Sequence, residues 1–217
     1  MKPFTLLFLL ISNIALSQSY YYSFGVSGNL FKGDIQQWNY RPSVGQLLSM
    51  RPSIHAEIGF QQTKTFDYRF RLSAGTMYGN PDLNPLPNVS TSAGSFSTPL
   101  VELAFLLDYN FFDFLPPGQT KFNWSPYLVG GLAGFYANPN GNGAVKSLAI
   151  PYGMGLKWKL NKKIMLRFET VARKTFTDRL DLEGGTSNFT LNRTDQYLNT
   201  SISIVYSIFP IICPRID

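Results

Sequence analysis

The sequence predicts an all-β fold, an eight-stranded antiparallel transmembrane β-barrel of the outer-membrane kind, preceded by a signal peptide. Three observations carry this. The first is the stretch Ser147 to Asp178. Leu148, Ile150, Tyr152, Met154, Leu156, Trp158 and Leu160 take every second position, with Ala149, Pro151, Gly153, Gly155, Lys157 and Lys159 between them. After the turn Asn161, Lys162, Lys163 the alternation resumes, with Ile164, Leu166, Phe168, Thr170 and Ala172 set against Met165, Arg167, Glu169, Val171 and Arg173. A period of two places each set on its own face of a strand. Each arm runs to about a dozen residues, where a globular strand has about five or six.

The second observation is composition. Aromatic residues make up 15% and charged residues only 15%, with a mean hydropathy of −0.05. That balance is odd for a water-soluble domain and natural for a lipid-facing band flanked by aromatic girdles. The third is the N-terminus. Lys2, the apolar run Phe4 to Ile11 and the small residues Ala15 and Ser17 before a cut form a secretory signal peptide. The expected division is residues 1–17 as signal, 18–209 as barrel and 210–217 as tail. The apolar run is too short for a spanning helix of about 20 residues. No Cys follows the cut, which argues against a lipoprotein, and no later window offers 18 uninterrupted apolar residues, which excludes a helical inner-membrane protein.

The strands follow in order. Strand one sets Tyr20, Tyr22, Phe24, Val26 and Leu30 against Ser23, Gly25, Ser27 and Asn29. Residues 31–52 read as a long loop, because Arg41-Pro42 and Arg51-Pro52 argue against a regular central strand. Strand two, Ser53 to Gln62, faces Ile54, Ala56, Ile58 and Phe60 outward and His55, Glu57, Gly59 and Gln61 inward. Strand three, Asp67 to Tyr78, faces Tyr68, Phe70, Leu72, Ala74, Thr76 and Tyr78 outward and Arg69, Arg71, Ser73 and Gly75 inward, with its end tyrosines as girdle residues. Strand four, Ser97 to Phe111, faces Val101, Leu103, Phe105, Leu107, Tyr109 and Phe111 outward and Glu102, Asp108 and Asn110 inward. Strand five, Ser125 to Tyr136, carries Gly130, Gly131 and Gly134 where a narrow barrel bends. The opening hairpin supplies strands six and seven. Strand eight, Tyr197 to Phe209, alternates Leu198, Ile202, Ile204, Tyr206 and Ile208 with Asn199, Ser201, Ser203 and Val205.

Single-chain bacterial barrels have an even number of strands, so Ser43 to Met50 is assigned to a loop rather than to a ninth strand. Long loops then face outward from the cell and short turns face the periplasm. One connector breaks the short-turn rule. FDFLPPGQTKFNW, Phe112 to Trp124, is apolar and aromatic yet holds Pro116-Pro117-Gly118, which no strand tolerates.

Three segments, SPYLVGGLAGFYANP at Ser125 to Pro139, SLAIPYGMGLKWKLNKK at Ser147 to Lys163 and RKTFTDRLD at Arg173 to Asp181, resemble the PorG-like outer-membrane barrels of Bacteroidota. Weaker similarity covers GVSGNLFKGDI and VELAFLLDYNFFDF. Those barrels are components of the type IX secretion system and of gliding motility. The resemblance implies an eight-stranded barrel associated with the periplasmic ring of the PorK lipoprotein and PorN, with no enzymatic activity, no cofactor and no catalytic residues to carry over.

Two sets of residues are candidate sites. The first is a lumen polar network of His55, Glu57, Arg69, Arg71, Glu102, Asp108, Arg167, Glu169 and Arg173. Eight-stranded barrels fill their lumen with side chains, and charges there must be paired. Arg167, Glu169 and Arg173, with Lys157 and Lys159, are placed to pair with Glu102 and Asp108. The competing reading is acyl transfer by His55 with Glu57 and Ser73, in a small lipid-modifying enzyme or ligand-binding barrel. The second set is the connector, Phe112, Phe114, Leu115, Pro116, Pro117, Phe122 and Trp124. It either dips into the inner headgroup region as a girdle or docks on a ring subunit.

Other signals carry less. Asp178, Asp181 and Glu183 lack the spacing of a twelve-residue calcium loop. NPNGNG lacks the Lys and the strand-loop-helix setting of a phosphate loop. Cys213 is the only cysteine, so it forms no internal disulfide. The net charge of +6 has no Lys/Arg stripe behind it, which argues against a nucleic-acid partner and leaves outer-membrane lipid as the expected surroundings. A soluble lipocalin-like barrel would need a greasy lumen and a polar outside.

Overall fold

The computed structural model describes residues 19–32, 49–63, 65–79, 95–112, 123–138, 144–161, 163–177 and 196–208. Eight strands follow one another: β1 Ser19–Lys32, β2 Arg51–Gln61, β3 Phe66–Gly79, β4 Phe96–Asn110, β5 Trp124–Ala137, β6 Val145–Lys159, β7 Ile164–Thr175 and β8 Gln196–Ser207. Each pairs antiparallel with the next, and β8 pairs with β1 along Tyr21↔Ser207 to Lys32↔Gln196, which closes the barrel. The shortest strand has 11 residues, enough for a tilted crossing that needs about 9–11. The connections 33–50, 80–95, 138–144 and 176–195 lie on one rim, the long-loop rim; the turns 62–65 and 160–163, with the connector 111–123, lie on the other, the short-turn rim.

Alternation sorts the side chains inside out. Phe24, Ile54, Leu132, Leu148 and Met154 are each more than 60% exposed on the outer face. Arg69, Asp108 and Ser125 are fully buried on the inner one. This is the reverse of a lipocalin-like pattern. Around the short-turn rim the outward aromatics touch in sequence: Tyr20 with Phe60 at 6.5 Å between ring centroids, Phe60 with Tyr68 at 5.2 Å, Tyr68 with Phe105 at 6.1 Å and Tyr109 with Phe111 at 5.5 Å.

Several sequence assignments shift. Arg51-Pro52 opens β2 instead of ending a loop, because a proline at the start of a strand leaves the rest of the ladder intact. Leu30, placed on the outward face, is fully buried. It stands two residues from Gly28, and Met50 packs there, its Sδ 3.3 Å from where a Cβ on Gly28 would lie. Phe60 is also covered, by the ring of Tyr68. Strand eight ends at Ser207, and Phe209 lies outside the described residues, as do residues 1–17, expected as a signal, and residues 210–217, expected as a tail.

The lumen is not polar throughout. One buried apolar cluster runs from Phe31, Met77, Leu100, Phe135, Ala137 and Ala149 near the long-loop rim to Leu106, Tyr127 and Val129, where Leu106 is the register partner of Arg69 and Val129 that of Asp108. Between β5 and β6 the pairing runs to Gly130↔Tyr152 and resumes at Ala133↔Ala149. Pro151, which has no N–H to give, lies in the gap opposite Gly131. A Cβ on Gly131 would stand 2.1 Å from the carbonyl oxygen of Phe105 on β4, a backbone atom that cannot step aside. One on Gly130 would meet nothing within 4 Å.

Gly131→Ala is therefore expected to destabilise the barrel by about 1–3 kcal/mol, the usual range for overpacking. Gly130→Ala is expected to leave stability nearly unchanged. Urea titration of both variants against the parent checks the contrast.

Candidate functional site

Side chains that alternation turns inward cannot reach bulk water in so narrow a barrel, so each charge must find its partner across the lumen. Glu57 on β2 and Glu169 on β7 form the hub. Glu57 Oε1 accepts from Arg69 Nη1 at 2.8 Å and Arg71 Nε at 2.5 Å, and its Oε2 accepts from Arg167 Nη1. Glu169 Oε1 accepts from Arg71 Nη2 at 2.6 Å. Its Oε2 accepts from Arg69 Nη2, and from the Tyr127 hydroxyl at 2.6 Å. Arg69 Nε reaches Asp108 at 3.0 Å, so one guanidinium bridges three carboxylates.

Two smaller groups flank the hub. Lys157 donates to Asp67 and to Asn110 Oδ1 at 2.9 Å, and lies 2.9 Å from Asp108 Oδ2. Nearer the long-loop rim, Arg173 Nε lies 2.9 Å from both oxygens of Glu102, which also accepts from the Tyr197 hydroxyl. In this network Arg69, Arg71, Lys157, Arg167 and Arg173 stand against Glu57, Asp67, Glu102, Asp108 and Glu169, so its formal charge cancels. Tyrosine faces cover the cations: Lys157 Nζ lies 4.4 Å from the Tyr127 ring centroid, Arg167 Cζ 5.3 Å from that of Tyr21 and Arg173 Cζ 5.5 Å from that of Tyr197.

Every charged residue assigned to the lumen network is buried there, but the pairing differs in part from the expected one. Arg173 takes Glu102 and Lys157 takes Asp108 as expected. Glu169 instead joins the acids of the hub, and Arg167 turns to Glu57. Asp67, Tyr21, Tyr127 and Tyr197 were missed. Asp67 has the parity of Arg69 and Arg71, and that signal could have found it. Tyr127 shares the inward parity of Ser125 and Val129, and Gly155 opposite leaves room for its ring; a Cβ there would lie 2.4 Å from it.

His55 does not assemble a catalytic chain. Acyl transfer needs the base bonded to both a nucleophile and an orienting acid. Among the described residues neither ring nitrogen of His55 has a hydrogen-bond partner, and both oxygens of Glu57 are engaged by arginines.

Only the ends of the connector fall within the described residues; Phe114, Leu115, Pro116, Pro117 and Phe122 lie outside them. Trp124, expected in the connector, is the first residue of β5 and pairs with Trp158. Phe112 meets it edge-on at 5.3 Å. The rim holds both ends, with Phe112 N–H donating to Ser125 Oγ at 3.3 Å and Lys159 N–H to the Asn123 carbonyl at 2.7 Å. The sheet ladder thus continues into the connector, which is why Trp124 joins the strand.

Removing one member of the hub leaves its partners buried and unpaired. Glu57→Ala is expected to destabilise the barrel by about 3–5 kcal/mol. Replacing the flanking pair together, Glu102→Leu with Arg173→Met, is expected to be close to neutral or stabilising. Denaturant unfolding of both variants in the same detergent measures the difference.

A family model described as a domain of unknown function (DUF6089) matches residues 2–214. No curated protein matches the sequence. Among solved structures the chain is similar to Neisserial surface protein A (NspA), with a TM-score of 0.55 and 12% identity, over 86% of this chain and 96% of that one. It also matches Ail, the attachment invasion locus protein of Yersinia pestis, with a TM-score of 0.49 and 7% identity, over 88% of this chain and 99% of that one. At 12% identity the NspA likeness bears on the fold alone.

Proposed function

We propose that this chain, which belongs to the family described as a domain of unknown function (DUF6089), is a lipid-embedded barrel of the bacterial outer membrane with a structural rather than a catalytic role. One observation carries the reading: an apolar outer face encloses a buried interior whose ion network is charge-balanced. An apolar outside is unstable in water and suited to lipid, and a lumen filled by ion pairs leaves no room for an aqueous pore. The N-terminal signal would deliver the chain to the periplasm, the long loops would face outward and the short turns inward.

The finer reading is an anchoring component of the type IX secretion and gliding machinery of Bacteroidota. In it the barrel ties a periplasmic ring, built of a PorK-like lipoprotein and a PorN-like partner, to the outer membrane. What supports it is the resemblance of residues 125–139, 147–163 and 173–181 to PorG-like barrels, together with the connector. A thirteen-residue aromatic segment on the short-turn rim requires a lipid or protein cover, and its ends already join that rim at Phe112 and Trp124.

Two experiments separate the layers of this proposal. For the membrane, Leu103→Arg, in the middle of β4's outer face, is expected to destabilise folding into bilayers by about 2–4 kcal/mol. The same change made at Tyr109, beside the rim, should cost about 0–1 kcal/mol. Equal effects would argue against a lipid belt. For the ring, replacing Leu115 to Gly118 by an Asn-Gly turn is expected to leave heat-modifiable migration on a gel intact and to abolish co-purification with the ring lipoprotein. Retained co-purification would sink the docking role.

A further inference from the structure

One wall of the lumen carries polar groups that the ion network leaves out. Ser23, His55, Ser201 and Ser203 are 0%, 4%, 4% and 2% exposed. Among the described residues neither His55 ring nitrogen, nor any of the three hydroxyls, has a hydrogen-bond partner. They are neighbours in the sheet. Gly25 on β1 stands between His55 on β2 and Ser203 on β8, Ser73 on β3 faces His55, and Ser201 and Ser203 face Glu169 and Arg167 on β7. From the network side, Arg71 Nη1 and Arg167 Nε also have no partner.

The same wall continues toward the long-loop rim to a small void of about 10 Å³ between Asn29, Ser53, Ser73, Glu102, Arg173 and Asn199. That is close to the lower limit for holding one water molecule, about 10–15 Å³. An open donor, Arg173 Nη1, and an open acceptor, Asn199 Oδ1, belong to residues of this void. Ser73 lines the void and is also the register partner of His55.

Buried donors and acceptors without partners are costly, and native interiors satisfy them with protein or with ordered water. Among the described residues no protein group pairs with them; the His55 ring lies over Gly25, which has no side chain, and Ser23, Ser201 and Ser203 beside it are short. The network's formal charges already cancel, so the occupant that fits is neutral, able both to donate and to accept, and very small.

We propose that the β8–β1–β2–β3 wall is a binding seam for a file of buried water molecules. It runs from the Arg173 and Asn199 void past Ser73 and Ser201 to His55, Ser203 and Ser23, and completes the hydrogen bonding of Arg71 and Arg167. The apolar cluster of Phe31, Met77 and Leu100 bounds the seam on the long-loop side. The inference rests on the lumen geometry and is independent of any secretion role.

The chain contains a single histidine, so isotopic labelling of histidine reports on this site alone. In the folded barrel in lipid nanodiscs, magnetisation transfer from water to the His55 imidazole N–H is expected. Loss of that transfer is expected in the Ser201→Val, Ser203→Val double variant, with heat-modifiable migration unchanged. No transfer in the parent barrel, or undiminished transfer in the folded variant, would overturn the seam. If the variant does not fold, a high-resolution crystal structure of the parent decides. Ordered waters within hydrogen-bond distance of His55, Ser201 and Ser203 support the proposal; a halide or a protein side chain in their place refutes it.

Discussion

Glu57 and Glu169, facing each other from β2 and β7 through the two arginines they share, Arg69 and Arg71, are the constraint on which the rest of the barrel depends. A closed sheet with an apolar outside leaves its inward charges nowhere to go but each other. Two carboxylates then hold Arg69, Arg71 and Arg167, and through Arg69 they reach Asp108 on β4. Tyr127 adds β5. A change in the register of any of these strands would strand a charge in a low-dielectric interior, so the network specifies the pairing as well as filling the space.

A buried apolar cluster complements that hub. Phe31, Met77, Leu100 and Phe135 close the long-loop end by packing, with no requirement for directional partners. Polar pairing sets register where the arginines lie, and dispersion fills the volume above. The serine-rich wall belongs to neither regime, being too polar to pack dry and too short to reach an ion pair. Among the described residues its Ser23, Ser201 and Ser203 hydroxyls and the His55 ring have no hydrogen-bond partner.

On the outside, aromatic rings from β1 through β4 meet in sequence along the short-turn rim, and Phe112 and Trp124 extend the band to β5. These two end residues of the connector thus have a local structural explanation as girdle residues. The proposed docking role rests accordingly on the sequence between them.

Strand number, strand order and, apart from Leu30 and Phe60, the outward-facing set were legible in the sequence. A period of two is a local property, and long two-faced strands have few architectures open to them. Parity also placed every charged network residue on the inner face, and would have placed Asp67 there. The partners were not legible. Glu57 and Arg167 are 110 positions apart, and Glu169 could face Arg71 only once β2, β3 and β7 curved around a common lumen. Nor does alternation say which inward positions pack dry, which tyrosine lies over a glycine, or that His55 has no hydrogen-bond partner among the described residues. Those outcomes depend on distances across the barrel, which closure alone determines.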